Sequence, residues 1–258
     1  MHCHELGAAI QRGARHNGAQ GAVNPLNQPR DSRGAESRVL VVGAHPDDEV
    51  LGMGGTVARH ALHEGCEVVV LCVSDGSSSQ CPVDGDQLRR KHDGALAAAE
   101  ILGVREYIQH DLPGSYLNEV PHVEVNKVVE ELVSDFRPGT VYTVHPDVNL
   151  DHRSVFRSVM VATRPRAGSS VRRVLTFATR SSIEWTAPFE SSFRPNWFTD
   201  ISATIDDKIA AFECYETEKR AWPHPRTARS IRVTAESCGA SVGCDFAEEF
   251  TLVRYLDF

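Results

Sequence analysis

The stretch that decides the fold is Val39-Leu40-Val41-Val42-Gly43-Ala44-His45-Pro46-Asp47-Asp48-Glu49. Residues 39–44 form a continuous apolar run that ends in small side chains, which predicts a buried strand of a parallel sheet. A histidine and three acidic residues follow this strand at once. Because ligands bind beyond the carboxyl ends of the strands in open α/β sheets, the polar cluster lies where a site is expected.

Predicted strands and helices alternate about four times along the chain, which is typical of βαβ units and a mainly parallel sheet. We predict strands over residues 39–44, 67–74, 105–109 and 140–144, and helices over residues 52–63, 87–102, 120–136 and 152–162. The last third is predicted to hold strands over 174–179, 198–205 and 250–256, a helix over 206–216, and loops around Pro188, Pro195, Pro223 and Pro225. We therefore expect one α/β domain over residues 37–258, in which helices enclose the sheet and the C-terminal part is an elaboration.

Residues 1–36 carry Gly, Asn, Gln and Arg without a sustained apolar period, which predicts a disordered N-terminal tail. The opening His2-Cys3-His4-Glu5 could bind a metal, but a frayed terminus is the favoured interpretation because ligand spacing alone is a weak signal. No apolar segment follows a basic start, so no signal peptide is expected.

The composition excludes several classes of protein. The 258 residues are 41% hydrophobic and 24% charged, which rules out collagen, coiled coil and wholesale disorder. The longest apolar runs, such as residues 68–73, are too short to span a bilayer, and a net charge of −8 argues against a general nucleic-acid binder. The seven cysteines form no C-x-x-C pair, which suits a reducing compartment, so we expect a cytoplasmic protein.

The cluster around His45 is a candidate metal site, because histidine and carboxylate oxygen together suit a divalent ion such as Zn²⁺. Asp47 and Asp48 are adjacent, so their side chains are expected to diverge. One can bind the metal while the other faces the open coordination position. The structural alternative is an Asx-turn with an N-cap for the next helix, which uses the same residue types.

A second polar cluster, His145-Pro146-Asp147-Val148-Asn149-Leu150-Asp151-His152, follows the predicted strand 140–144. Since parallel βαβ folding brings such strand ends together, we expect the two clusters to form one site. Asp151 is placed to accept a hydrogen bond from an imidazole and fix its tautomer. Capping of the following helix is the alternative for this segment.

Residues 44–49, A-H-P-D-D-E, and the following L-G-M-G-G at 51–55 resemble the opening motif of the LmbE-like, or PIG-L, zinc-dependent N-acetylglucosamine deacetylases. Residues 147–153, D-V-N-L-D-H-R, resemble the second metal motif of that family. Later stretches resemble one bacterial branch: T-R-P at 163–165, S-S-I-E-W at 181–185, F-R-P-N at 193–196, P-H-P-R at 223–226 and A-E-E-F at 247–250. The resemblance covers residues 38–258 and implies a Rossmann-like fold.

The resemblance implies a zinc site made by His45, Asp48 and His152, with Asp47 as the general base. Three protein ligands leave one coordination position open for water, as in catalytic zinc sites. The ion lowers the pKa of that water, the base takes its proton, and the hydroxide attacks an amide carbonyl. Fe²⁺, Co²⁺ or Mn²⁺ also suit two histidines and one aspartate.

One position departs from the family pattern. Many members have a histidine three residues before the last zinc ligand, where it assists the oxyanion, whereas this chain has Asn149, which brings no charge. His145 and His224 are the two candidates to replace it, and the resemblance favours His224. The comparable histidine of related members can come from a neighbouring subunit, so a homo-oligomer is a further expectation. A surface-loop imidazole is the alternative for His224.

Three more residues join His145 as candidates for substrate contact. Arg90 resembles a family arginine that contacts the sugar, Asp75 follows a predicted strand end, and Trp185 could stack on a sugar face. The structural alternatives are a solvated charge for Arg90, a turn cap for Asp75 and a buried core position for Trp185.

The resemblance implies a zinc-dependent deacetylase of a small N-acetylglucosamine-type sugar or its conjugate, with neither a nucleic-acid partner nor a membrane span. One alternative is an amidase of the same mechanism that acts on a larger acyl amide or a thiol-sugar conjugate. The other is a non-catalytic sugar- or nucleotide-sugar-binding module. Asn149 favours the module, and the four residues of the implied metal and base set argue against it. A dehydrogenase is disfavoured because no G-x-G-x-x-G follows the first strand.

Overall fold

The computed structural model describes residues 34–77, 85–187 and 192–257. The predicted tail, with its His2–Glu5 motif, lies outside the described residues except for residues 34–36. At that point a single 3₁₀ turn, Ala35–Ser37, leads into the first strand.

A seven-stranded sheet forms the centre of the described structure. Its strands are β1 Arg38–Gly43, β2 Glu67–Ser74, β3 Glu106–Leu112, β4 Thr140–Val144, β5 Arg173–Phe177, β6 Trp197–Asp200 and β7 Ala247–Tyr255. Their order in space is β3-β2-β1-β4-β5-β7-β6. Strands β1 to β5 pair in parallel, whereas β7 is antiparallel to both β5 and β6. The predicted α/β class with a mainly parallel sheet is confirmed.

The sheet is flanked by helices α1 Asp48–Ala58, α2 Gly85–Ile101, α3 His122–Phe136, α4 Leu150–Ala162, α5 Ile205–Glu213 and α6 Ala228–Val242. Helix α3 packs on α4, and α5 packs against α1, α2 and α6. Strands β1, β2 and β4 are buried along nearly their whole length, which is why their sequences are apolar runs and not alternating patterns. Among the described residues, no helix combines the length and the apolar character needed to cross a bilayer.

Helix α1 differs from its prediction at both its start and its middle. It begins at Asp48 instead of residue 52, since carboxylates in the first turn interact favourably with a helix N-terminus. It is interrupted at Met53, whose φ of −151° and ψ of 23° are not helical. The N–H groups of Gly55 and Thr56 then donate to the carboxylate of Glu248, at 3.0 and 2.7 Å. Because that acceptor comes from β7, the local sequence does not show what accepts the freed N–H groups.

Two features of the last third also differ from the prediction. The predicted strand 198–205 ends at Asp200, whose Oδ1 accepts from the N–H of Ser202 at 2.9 Å and turns the chain. Ile205 already begins α5. Helix α6 is not among the predicted elements, although Thr227 caps it by accepting from the N–H of Ser230 at 3.0 Å.

Candidate metal centre and active site

The two polar clusters lie side by side at the carboxyl ends of β1 and β4. These strands pair in parallel, with Val42 opposite Thr143, so the residues that follow them leave the same edge of the sheet. The geometry expected from a parallel sheet therefore brings residues 44–49 and 145–152 together.

Three side chains of these clusters converge on one point. His45, Asp48 and His152 each offer one ligand atom, and these atoms lie within 4.8 Å of one another. Asp48 Oδ1 is 3.5 Å from His152 Nε2, and Asp48 Oδ2 is 3.7 Å from His45 Nδ1. The backbone N–H groups of Ala44 and His45 both donate to Asp48 Oδ2 at 2.9 Å, which fixes the carboxylate. Asp48 and His152 are each only 1% exposed.

Each imidazole is oriented by a second carboxylate. His45 Nε2 lies 2.9 Å from Asp151 Oδ2, and His152 Nδ1 lies 2.8 Å from Asp147 Oδ2. The nitrogen that faces the convergence point is therefore Nδ1 in His45 and Nε2 in His152. A carboxylate bound to the other ring nitrogen is the usual way in which a protein orients a metal-binding histidine. Sequence reasoning selected Asp151 and missed Asp147. The available signal was the position of Asp147 in the same motif, just before the start of α4.

The donor set fits a divalent ion. Within the described part of the chain, the buried His152 Nε2 has no hydrogen-bond partner, although it is directed at Asp48. Burial alone would lower the pKa of His152, but Asp48 and Asp147 raise it to about 10. Burial alone would raise the pKa of Asp48, but His152 and His45 bring it well below its usual value. The centre thus attracts positive charge, and two imidazoles with one carboxylate are a zinc-type donor set.

Asp47 directly precedes Asp48 in the chain, but its side chain has a different partner. Its backbone is in the left-handed region, with φ of 115°, and its side chain makes no capping hydrogen bond to α1. Asp47 Oδ2 lies 3.0 Å from Nη1 of Arg226, so the side chains of Asp47 and Asp48 diverge. Burial raises the pKa of Asp47 to about 7, against the opposing charge of Arg226. The capping alternative is wrong for this residue.

Asn149 caps helix α4. Its Oδ1 accepts from the N–H of Asp151 at 2.9 Å, and its own N–H donates to Asp147 Oδ1 at 2.8 Å. The cap in this segment is therefore Asn149 and not Asp151. His145 is 7% exposed, and its Nδ1 lies 3.1 Å from Thr176 Oγ1.

His224 lies beside Trp185, with ring centroids 6.4 Å apart. Its Nδ1 accepts from the N–H of Arg226 at 3.1 Å. Burial and the charge of Arg226 lower the pKa of His224. Trp185 is 60% exposed, so the core alternative for it is wrong.

Two predicted substrate residues, Arg90 and Asp75, have partners within the protein. Arg90 Nη2 is 3.1 Å from Glu216 Oε2, and both side chains are more than half exposed, at 52% and 67%. Asp75 Oδ1 accepts from the N–H groups of Ser77 and Gly114, at 2.8 and 3.0 Å. These contacts agree with the solvated charge and the turn cap that were the alternatives.

Sequence reasoning missed the charges that surround Asp47. Arg226, Glu218 and Lys91 come from two distant segments and form a partly buried cluster, in which Arg226 pairs with Asp47. The available signal for Arg226 was its place in the P-H-P-R motif, where attention fell on the neighbouring His224.

Comparison with known proteins agrees with this geometry. The model of the GlcNAc-PI de-N-acetylase family, PIG-L, matches residues 40–163. The diacetylchitobiose deacetylase of Thermococcus kodakarensis is 30% identical over 197 residues, 70% of this chain and 70% of that protein. The 1D-myo-inositol 2-acetamido-2-deoxy-alpha-D-glucopyranoside deacetylase of Saccharomonospora viridis is 33% identical over 197 residues, 66% of this chain and 73% of that protein.

A solved structure supports the fold. The N,N'-diacetylchitobiose deacetylase of Pyrococcus horikoshii superposes with a TM-score of 0.66 at 20% identity, over 84% of each chain. Fold, site and relatives together define an α/β deacetylase with a candidate metal centre at the strand ends. The chain belongs to the PIG-L, or LmbE-like, family, and the resemblance noted in the sequence is confirmed.

Proposed function

We propose that this protein is a metal-dependent deacetylase that removes the acetyl group from an N-acetylglucosamine-type amino sugar or its conjugate. One observation carries the proposal. Asp47 directly precedes Asp48, one of the three converging donor side chains, its Oδ2 is buried, and among the described residues no N–H or O–H donates a hydrogen bond to it. A carboxylate with a free lone pair at an open-site metal centre is equipped to accept a proton.

A divalent ion held by His45, Asp48 and His152 would supply Lewis acidity, which lowers the pKa of a water molecule and polarises the acetamide carbonyl. Asp151 and Asp147 keep the two imidazoles turned toward the centre through their hydrogen bonds. Asp47 receives a proton from the attacking water at Oδ2. It then returns that proton to the leaving amine nitrogen as the C–N bond breaks, so the base ends in its starting state.

His224 is proposed to assist the oxyanion. Because Nδ1 of His224 accepts from the backbone N–H of Arg226, the proton of the neutral ring lies on Nε2, which can donate to a developing negative charge. Asn149 has its amide oxygen engaged in the α4 cap, so it contributes at most its N–H₂ group. The neighbouring exposed face of Trp185 provides a surface on which a sugar ring can stack.

Three further assignments complete the proposal. The metal is Zn²⁺, although Fe²⁺, Co²⁺ and Mn²⁺ suit the same donors. The partner is a small amino-sugar substrate and not a nucleic acid, in agreement with the net charge of −8. A cytoplasmic location, and an oligomer in which the His224 loop reaches a neighbouring subunit, remain proposals from the sequence.

Acetate release from a panel of N-acetylated amino sugars and their glycosides tests the function. The purified protein is assayed with its metal content measured, beside Asp47→Asn as the inactive control. We expect release from at least one GlcNAc derivative, and retained metal with little release in the variant. Hydrolysis confined to longer acyl amides would support the amidase alternative. Saturable sugar binding without hydrolysis in the metal-loaded protein would support the binding module.

A further inference from the structure

A chain of alternating charges, with buried carboxylates and partly buried cations, begins at the base Asp47 and continues into the C-terminal part of the molecule. Arg226 Nη1 lies 3.0 Å from Asp47 Oδ2 and donates to Glu218 Oε2 at 2.6 Å. Lys91 Nζ lies 2.9 Å from Glu218 Oε1 and donates to the carbonyl oxygen of Gly76 at 3.2 Å. The side chains of Asp47 and Glu218 are 2% and 8% exposed, so these charges face little water.

The guanidinium of Arg226 is fixed from more than one side. Nη1 donates to Glu218, and Nε donates to Ser181 Oγ at 2.7 Å. Buried ion pairs lose hydration on folding, and apolar residues of similar volume often stabilise a fold as well or better. A network of this kind is therefore weak evidence for stability, and its end at Asp47 suggests a role in the reaction.

The direction of the Arg226 hydrogen bonds is the informative feature. The N–H of Nη1 is directed at Glu218, while Asp47 is held at ion-pair distance without a hydrogen bond of good angle. Arg226 thus attracts the carboxylate but leaves the lone pair of Oδ2 free. In the described part of the chain it is also the one polar side-chain partner of the Asp47 carboxylate.

We propose that Arg226 is a positioning residue for Asp47, with Glu218 and Lys91 holding the guanidinium in place. The proposal rests on the deacetylase function given above, in which Asp47 is the base. Without the guanidinium, the carboxylate of Asp47 has no described partner that holds it beside the centre. A displacement of about 1 Å at a reacting group can cost on the order of 10²-fold in rate.

The test compares Arg226→Ala with Arg226→Lys and with the matched control Arg232→Ala, whose arginine pairs with Asp206 on the surface. We expect Arg226→Ala to lower kcat on the order of 10²-fold, with KM changed far less and metal content unchanged. Lysine carries the positive charge but lacks the planar guanidinium with its fixed N–H donors. Arg226→Lys should therefore recover only part of kcat. Arg232→Ala should match the wild type.

Chemical rescue separates positioning from a merely structural role. Methylguanidinium should restore part of kcat to Arg226→Ala in a saturable way, whereas the neutral methylurea of similar shape should not. If Arg226→Ala does not fold, Arg226→Ala combined with Glu218→Gln replaces it, since that variant removes the unpaired buried charge. Unchanged kcat in the folded variant, or equal rescue by both compounds, would overturn the proposal.

A crystal structure of Arg226→Ala tests the proposal without an activity measurement. We expect the Asp47 carboxylate to leave its wild-type position while His45, Asp48 and His152 keep theirs. An undisplaced Asp47 would overturn the proposal. Absence of acetate release from the wild type would contradict the proposed function alone, and the position of Asp47 would still decide the role of Arg226.

Discussion

The carboxylate of Asp151 lies 2.9 Å from Nε2 of His45, a residue 106 positions earlier in the chain. The same carboxylate accepts from the N–H groups of Ser115 and Leu117, at 2.6 and 2.9 Å. The strand end that supplies His45, the start of α4 and the loop after β3 are therefore held together at one side chain. This contact orients the imidazole and makes the candidate metal centre dependent on three separate segments.

Metal binding should depend on His152. We expect the wild type to bind about one equivalent of divalent ion and His152→Ala to retain little of it, because the variant lacks one of the three proposed donors. Asp151→Ala should weaken binding by about 10- to 100-fold, since the His45 ring loses its orienting partner. Metal analysis after dialysis against a graded chelator measures both. The control is His122→Ala, at the exposed start of α3, and full occupancy in His152→Ala would contradict the assignment.

Asp47 should be needed for the rate and not for the metal. Asp47→Asn is expected to keep its metal and lose roughly 10²- to 10⁴-fold in kcat, the usual contribution of a general base. Asp48→Asn is the comparison, because Asp48 is a proposed metal donor and its replacement should reduce metal content. If the two variants showed the opposite pattern, Asp47 and Asp48 would have to exchange roles.

His224 should act on the transition state. Loss of one oxyanion donor typically costs about 10²- to 10³-fold in kcat with little change in substrate binding, and we expect His224→Ala to behave this way. Mixing His224→Ala with Asp47→Asn protein tests for a shared site, since hybrid oligomers would regain activity if the loop crosses between subunits. Loss without rescue places the loop in its own subunit. An unchanged kcat moves the role to His145.

Asn149 should matter more for stability than for the rate. Asn149→Ala removes the α4 cap and is expected to lower the free energy of unfolding by about 0.5–2 kcal/mol. Asn149→Asp keeps a capping oxygen and should lose much less. Denaturant unfolding measures the difference, with acetate release as the second readout. A loss of rate as large as that of His224→Ala, at unchanged stability, would show that Asn149 itself is the main oxyanion donor.

The metal-free protein should lose stability in alkaline solution. Asp48 and Asp147 raise the pKa of folded His152 from the usual 6.5 to about 10, although burial opposes them. The stabilisation from this proton is therefore complete below pH 6.5 and is lost as the pH rises through 10. We expect the Tm of chelator-treated protein to fall across this interval, and that of His152→Gln to fall less. An equal fall of Tm with pH in both proteins would show that the His152 proton is not the cause.

Much of the sheet follows from the sequence, because strands covered on both faces must be continuous apolar runs. The observed bounds of β2 and β4, Glu67–Ser74 and Thr140–Val144, are those predicted. The parallel order then brings the His45 and His152 clusters to one edge. The A-H-P-D-D-E motif identified the family. Periodicity could not do so, since it does not distinguish a metal ligand from a helix cap.

Tertiary structure alone decided the partners of these residues. Asp147 faces His152, Arg226 faces Asp47 and Glu248 accepts the freed N–H groups of α1, and the last two pairs join segments far apart in the chain. Local sequence specifies which side chains can carry charge, but the burial that shifts their pKa values exists only after distant segments pack. The sequence by itself therefore determined the sheet and the chemical types at its edge. The packed fold determined which charge meets which, because Coulomb interactions in a water-poor interior depend on distances that no spacing along the chain records.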